Sequence, residues 1–96
     1  MISSVNLAEF YYKICQKLGK QTADSWYFQL CRSRLEVVHN DELVRYAGLE
    51  KCRQPNRLAF ADCFALALAR MEHALLLTTD SELSKVKDVE VRYVRP

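Results

Sequence analysis

The sequence predicts an α/β fold with a mostly parallel sheet and flanking helices. Helical and strand patterns alternate in the order strand, helix, helix, strand, helix, helix, strand, short helix and strand. An alanine-rich apolar stretch leads directly into a short apolar run, the pattern of a buried helix followed by a buried strand. Half of the 96 residues are hydrophobic and only two are glycine, so we expect one ordered domain over residues 1–96.

Each predicted element rests on its apolar spacing and on the residues at its ends. Gly19 is expected to end the first helix as a C-terminal cap, and Thr22 is expected to cap the start of the second. The last predicted strand alternates apolar and polar residues, as in a strand with one face in water. The predicted elements are a strand over 2–6, helices over 7–18 and 22–33, a strand over 35–39, a helix from 40 or 41 to 52, a helix over 61–73, a strand over 75–79, a short helix or turn over 81–86, and a strand over 89–94.

Composition excludes several classes of protein. The longest apolar stretch is too short to cross a bilayer, no signal peptide is evident, and the net charge is only +2. The four cysteines form no C-x-x-C pair, so we expect buried free thiols in a reducing cytoplasm rather than a zinc site. Two aromatic clusters, Phe10–Tyr12 and Trp26–Phe28, allow base stacking, although their helical spacing favours packing in the core or in a dimer.

Three carboxylates are predicted at strand–helix junctions. Asp62 falls in the first turn of the buried helix and Asp80 directly after a strand, while Glu9 is expected in the first turn of the first helix. Ligands gather at the carboxyl ends of parallel strands, and clustered carboxylates suit Mg²⁺ or Mn²⁺. The simpler alternative, that Asp62 only caps a helix and Asp80 only opens a turn, stays open. Arg53 and Arg57 are either phosphate contacts or part of a solvated loop.

Three segments together resemble the PIN domain, in particular the VapC-type toxins. They are Val5–Glu9, Leu58–Ala67 and Leu76–Asp80, and the closing strand is consistent with them. The resemblance implies a single-strand endoribonuclease that uses a water activated by Mg²⁺ or Mn²⁺, forms a homodimer and is inhibited by a small antitoxin. It also implies that Glu9, Asp62 and Asp80 are the metal ligands. Thr78 would be the hydroxyl of the family's threonine-x-aspartate motif.

The chain departs from the family pattern at two places. Ala59 stands where the family often has serine. The family's opening strand, which ends in an aspartate that binds metal, has no counterpart before Ile2. We therefore expect a PIN-like domain shortened at its N-terminus, in which either a second chain or a direct pairing of strands closes the sheet, unless the chain is a fragment. The alternative function is a non-catalytic PIN domain that dimerises or binds an antitoxin.

Overall fold

The computed structural model describes residues 1–53, 58–78, 86 and 89–93. The chain forms two compact units, residues 1–39 and residues 40–96. Each unit contains two helices that pack together and a two-stranded parallel ladder. These ladders and helices agree with the predicted α/β class, although the described strands are only two or three residues long. That residues 1–96 form a single domain stays a prediction.

The first unit begins with a strand much shorter than the predicted one. Strand β1 (Ile2–Ser3) pairs in parallel with β2 (Val37–Val38), and helix α1 (Ser4–Leu18) follows β1 at once. The prediction of a strand through Asn6 is wrong because Ser3 is the N-cap of α1. Its Oγ accepts a hydrogen bond of 3.1 Å from the backbone N–H of Asn6 and donates one to the Asn6 side chain. This reciprocal pair begins the helix three residues earlier than the apolar spacing predicts.

A single glycine joins α1 to helix α2 (Lys20–Arg32). Gly19 has a φ of 89°, which side chains other than glycine rarely adopt, and its N–H donates to the carbonyl of Cys15. Its own carbonyl accepts a hydrogen bond of 3.1 Å from the N–H of Ala23. Gly19 therefore ends α1, as predicted, and is also the N-cap of α2. The prediction that Thr22 caps α2 is wrong, because α2 has already begun at Lys20.

The aromatic side chains of this hairpin are mostly exposed. The Tyr11 hydroxyl donates to the Asp24 carboxylate at 2.6 Å, and the Tyr11 and Tyr27 rings meet edge to face with centroids 6.0 Å apart. Ala23, in α2, is buried. Packing of the aromatic clusters in the core is therefore wrong for the five exposed members, which are Phe10, Tyr12, Trp26, Tyr27 and Phe28.

The second unit is built on helices α3 (Asp41–Arg53) and α4 (Phe60–Glu72). The Asn40 side-chain oxygen accepts a hydrogen bond of 2.8 Å from the N–H of Leu43, which confirms a helix start at this point. The C-cap of α4 is His73, whose φ of 51° is left-handed. As predicted, α4 is largely buried. Its buried residues are Ala61, Cys63, Leu66, Ala67, Leu68 and Ala69.

Strands β3 (Leu76–Thr78) and β4 (Val91–Tyr93) pair in parallel, with Leu76 opposite Val91. The predicted strand over 89–94 therefore begins two residues later, and Val94 lies outside the described residues. The predicted short helix or turn over 81–86 also lies outside the described residues, except for Val86, which packs against the core of this unit. That core is formed by Leu58, Cys63 and Leu66, and Leu76, Val86 and Val89 pack around it.

The cysteines correct another expectation. All four are free, as predicted, but only Cys63 is buried, whereas Cys31 and Cys52 are exposed and Cys15 is half-buried. The burial prediction is wrong for the exposed pair, because helical spacing alone does not show which positions a neighbouring element covers. In the part of the chain that the structure describes, no helix is long and apolar enough to cross a membrane.

Candidate active site

Asp62 lies in the first turn of α4, as the sequence predicts. The helix begins at Phe60 with Ala59 as its N-cap, so Asp62 is the third helical residue. Its side chain is half-buried. The N–H groups of the first turn and the helix dipole favour a negative charge at this point. α4 therefore presents a carboxylate at its electrostatically positive end.

Lys51, near the end of α3, lies beside this end of α4. Its Nζ donates a hydrogen bond of 2.6 Å to the carbonyl of Leu58 and lies 5.4 Å from the centre of the Phe60 ring. No pattern in the sequence marks this lysine, because its contacts are with residues that lie seven and nine positions further along the chain. The start of α4 thus has a cation next to it as well as the Asp62 carboxylate.

Cys63, the residue after Asp62, is not an activated nucleophile. Burial raises the pKa of its thiol, and the charges of Asp62 and Glu50 raise it further, whereas Lys51 lowers it. A raised pKa keeps the sulfur protonated at neutral pH, while the thiolate is the nucleophilic form. Cys63 is therefore not a candidate nucleophile, and the candidate reactive group at this helix start is the Asp62 carboxylate.

Glu9 lies in the second turn of α1, not in the first turn where it was predicted. The cause is the early start of the helix at Ser4, which the Ser3 cap sets. The Glu9 side chain is 38% exposed, and one of its oxygens lies 3.6 Å from the Lys13 Nζ, one turn further along the helix. Glu9 is therefore a partly accessible carboxylate that already has a cation next to it.

The other predicted site residues are distributed as follows. Thr78 is the last residue of β3, whereas Asp80 and Arg57 lie outside the described residues. Arg53 is the last residue of α3 and is exposed. Glu9 belongs to the first unit and Asp62 to the second.

Arg53 also lines a groove between α3 and α4 that has a volume of about 590 Å³. Tyr46 and Met71 line the same groove, together with the ion pair between the buried Glu50 and the half-buried Arg70. Because that arginine is already paired with a carboxylate, Arg53 is the better candidate in this groove for contact with a phosphate.

A metal centre requires several ligand atoms in one place. Among residues 1–53, 58–78, 86 and 89–93, no group of three or more His, Cys, Asp or Glu side chains is arranged to hold a metal ion. Glu9 and Asp62 are nevertheless half-buried carboxylates, and carboxylate oxygen is the donor that Mg²⁺ and Mn²⁺ prefer. The chemistry of these donors therefore fits a hard divalent cation.

Comparison with known families identifies the class of protein. The family model described as the PIN domain matches residues 1–89. The chain belongs to the PIN domain family. PIN domains are in general nucleases and in general use divalent metal ions, which agrees with the carboxylates of this PIN domain. None of the curated proteins matches this PIN domain closely enough to narrow its function further.

Proposed function

We propose that this PIN domain is a metal-dependent endoribonuclease of the VapC toxin type that cleaves phosphodiester bonds in single-stranded RNA. The observation that carries the proposal is the half-buried Asp62 in the first turn of α4, within a chain whose residues 1–89 match a family of nucleases. A carboxylate fixed at a helix start is held in one place by the backbone, as a ligand for catalysis needs to be.

Glu9, Asp62 and Asp80 are the proposed ligands of Mg²⁺ or Mn²⁺, and the Thr78 hydroxyl, from the threonine-x-aspartate motif, is proposed to orient the rim of the site. When bound, the cation supplies Lewis acidity for phosphodiester hydrolysis. Arg53 and Arg57 are proposed to bind RNA phosphates, for which the guanidinium group is geometrically suited. In the absence of neutralising positive charge, the carboxylates would repel the RNA backbone.

The proposal is tested by the metal and strand requirements of cleavage. The purified chain is incubated with an end-labelled single-stranded RNA and with a duplex of the same sequence, in Mn²⁺ or in excess EDTA. We expect cleavage of the single strand in Mn²⁺ only, and its loss in Glu9→Gln. Cleavage that persists in EDTA, or that is unaffected by the Glu9→Gln substitution, would contradict the assignment.

We further propose that the chain forms a homodimer through the aromatic surface, defined here as Phe10, Tyr12, Trp26, Tyr27 and Phe28. The exposed fractions of these side chains reach 60% at Phe28 and 56% at Tyr12. Exposed aromatic side chains on two helices that pack together supply apolar area that a second copy of the chain would cover. The test is the molar mass in solution over a range of concentrations, for the wild type and for Trp26→Ser/Phe28→Ser. A wild type that is monomeric throughout would refute the dimer, and weaker RNA binding by the double variant would instead assign the surface to base stacking.

A small antitoxin protein is the proposed inhibitor, and the cytoplasm is the proposed compartment. The four free cysteines are consistent with a reducing compartment. If the antitoxin exists, co-expression of its gene is expected to abolish RNA cleavage in the purified complex and to relieve growth arrest caused by the chain. Growth arrest that no protein encoded next to the chain relieves would contradict this part of the proposal.

A further inference from the structure

Ser4 and His39 lie next to each other at the carboxyl ends of the two strands of the first unit. In the parallel ladder Ser3 of β1 is opposite Val38 of β2, so the residues that follow them leave the ladder at the same edge. Ligands of parallel α/β sheets bind outside the carboxyl ends of the strands. Substrate contacts are therefore expected at this edge. The sequence does not reveal the pair, because its members are 35 positions apart.

A hydrogen bond orients the His39 ring. The Ser4 Oγ lies 3.1 Å from Nδ1 of the ring, and the histidine side chain is exposed. Because the bond to Ser4 uses Nδ1, the ring directs Nε2, the nitrogen further from the backbone, away from the serine. When Nδ1 carries a hydrogen, the serine oxygen accepts it, and Nε2 is the atom that gains or gives up a proton. The pair is therefore arranged as an imidazole with one nitrogen held and the other able to exchange a proton.

The pair lies in the same unit as Glu9, a proposed metal ligand. Ser4 is the first residue of α1, and Glu9 follows five positions later, which is about 7.5 Å along the helix axis. In an in-line displacement at phosphorus, the attacking oxygen and the leaving oxygen are on opposite sides. A proton donor for the leaving oxygen is therefore expected beside the metal ligands and not among them, and His39 satisfies this condition.

We propose that His39 is a catalytic residue that donates a proton from Nε2 to the leaving ribose oxygen, and that Ser4 is its positioning residue. The inference rests on the proposed function, because it takes RNA cleavage as the reaction. As a water oxygen bonds to phosphorus, the bond from phosphorus to the ribose oxygen breaks, and that oxygen takes the proton of the imidazolium. The proton that the water loses passes to solvent, and the neutral imidazole regains one from solvent. Histidine is the side chain most often used for such transfers.

The first test measures kcat and KM on single-stranded RNA in Mn²⁺. His39→Asn places an amide N–H close to the position of Nδ1, so the bond to Ser4 can persist, but it has no counterpart of Nε2. We expect its kcat to fall about 100-fold or more, as is usual when a proton donor is removed, with KM nearly unchanged. His73→Asn is the matched control, because it makes the same substitution at the other of the two histidines. Asparagine tolerates the left-handed backbone at that position, so we expect the wild-type kcat.

A substrate with a better leaving group separates proton donation from a structural role. The products of wild-type cleavage show which ribose oxygen leaves, and in the sulfur substrate a sulfur atom replaces that oxygen. A thiol is far more acidic than an alcohol, so a thiolate leaves without first taking a proton. We expect His39→Asn to cleave the sulfur substrate at close to the wild-type rate. A folded His39→Asn protein that is as defective on the sulfur substrate as on RNA, or that cleaves RNA like the wild type, would overturn the inference.

Ser4 provides a second variant, which keeps the inference testable if circular dichroism shows that His39→Asn does not fold. Ser4→Ala removes the hydroxyl that orients the ring, so we expect a smaller loss of kcat on RNA and no loss on the sulfur substrate. Ser4→Thr keeps the hydroxyl and should restore the wild-type kcat. An unchanged kcat in folded Ser4→Ala would contradict the role of the pair.

Asp62→Asn distinguishes failure of this inference from failure of the proposed function. If Asp62→Asn abolishes cleavage of both substrates while folded His39→Asn cleaves RNA like the wild type, only the proton-donor role is wrong. If the wild type cleaves neither substrate, or if Asp62→Asn cleaves both at the wild-type rate, the proposed function is wrong and the inference fails with it.

Discussion

Arg70 on α4 donates its Nε hydrogen to the carboxylate of Glu50 on α3, and this ion pair joins the two helices of the second unit. The Glu50 side chain is only 5% exposed, and that of Arg70 is 31% exposed. Burying a charged carboxylate costs free energy unless a cation is paired with it. The Arg70 guanidinium therefore offsets the cost of burying Glu50.

We predict that Arg70→Met strongly destabilises the chain. It leaves Glu50 buried without its cation, which typically lowers the free energy of unfolding by about 3–5 kcal/mol. The measurement is urea unfolding followed by circular dichroism. Arg45→Met, which removes an exposed arginine of α3 from the Tyr46 ring, is the control and should cost less than about 1 kcal/mol.

Replacing both partners of the ion pair tests this explanation. Glu50→Met/Arg70→Met removes the buried charge together with its partner, so we expect it to recover most of the stability that Arg70→Met loses. A double variant as unstable as the single one would show that packing of the arginine stem, and not the unpaired carboxylate, causes the loss.

We predict that Leu66→Ala also destabilises the second unit, because Leu66 is fully buried beside Leu58 and Cys63. Leucine-to-alanine changes in a core lower the free energy of unfolding by about 2–5 kcal/mol, depending on how far the cavity collapses. Leu75→Ala, at a side chain that is 42% exposed, is the control and should change it by no more than about 0.5 kcal/mol. Equal effects of the two substitutions would contradict the assigned core.

The stability of the first unit should depend on pH through Tyr11, Lys20 and Asp24. Hydrogen bonds from Lys20 and Tyr11 lower the pKa of Asp24 below 3.8. The hydrogen bond to Asp24 raises the pKa of Tyr11 above 10.0 and that of Lys20 above 10.5. The contribution of Asp24 to the free energy of unfolding is thus present above pH 3.8 and is lost as the pH falls through the lowered pKa of Asp24. The contributions of Tyr11 and Lys20 are present below their ordinary pKa values and lost as pH rises through the raised ones.

We therefore predict a plateau of helical stability near neutral pH that falls away at both extremes, and a flatter profile for Asp24→Asn at both ends. The measurement is thermal unfolding followed by circular dichroism across the pH range. Tyr11→Phe should flatten the alkaline side and, because it also removes one of the two hydrogen bonds that lower the pKa of Asp24, part of the acid side. Tyr12→Phe, at the exposed neighbouring position, should leave the profile unchanged. A wild-type profile that Asp24→Asn does not alter would contradict the role of this network.

The sequence predicts the second unit better than the first. α4, its first-turn Asp62 and β3 follow from an apolar stretch whose helical part is too long and too alanine-rich for a strand. The start of α1 does not follow from the apolar pattern. The pattern of residues 2–6 suits a strand, whereas the hydrogen-bonded pair of Ser3 and Asn6 begins a helix. Side-chain hydrogen bonds of this kind override propensity without changing the hydrophobic pattern.

The contacts between elements are the part that spacing alone does not reveal. The ion pair between Glu50 and Arg70 and the hydrogen bond from Lys51 to Leu58 each join a residue of α3 to one that lies seven or more positions further along the chain. Glu50 looks like a surface residue in the sequence, and only the packing of α4 against α3 buries it. The exposure of the aromatic surface could not be predicted either, since helical spacing does not show which face of a helix a neighbouring helix covers.

The most direct test of the central claim is cleavage of single-stranded RNA in Mn²⁺ by the purified wild type, by Asp62→Asn and by Glu72→Gln. Glu72 is the last residue of the same helix and is exposed, so it controls for loss of one carboxylate from α4. The proposed function predicts cleavage by the wild type and by Glu72→Gln, and none by Asp62→Asn. Cleavage by Asp62→Asn at the wild-type rate, or no cleavage by any of the three, would contradict it.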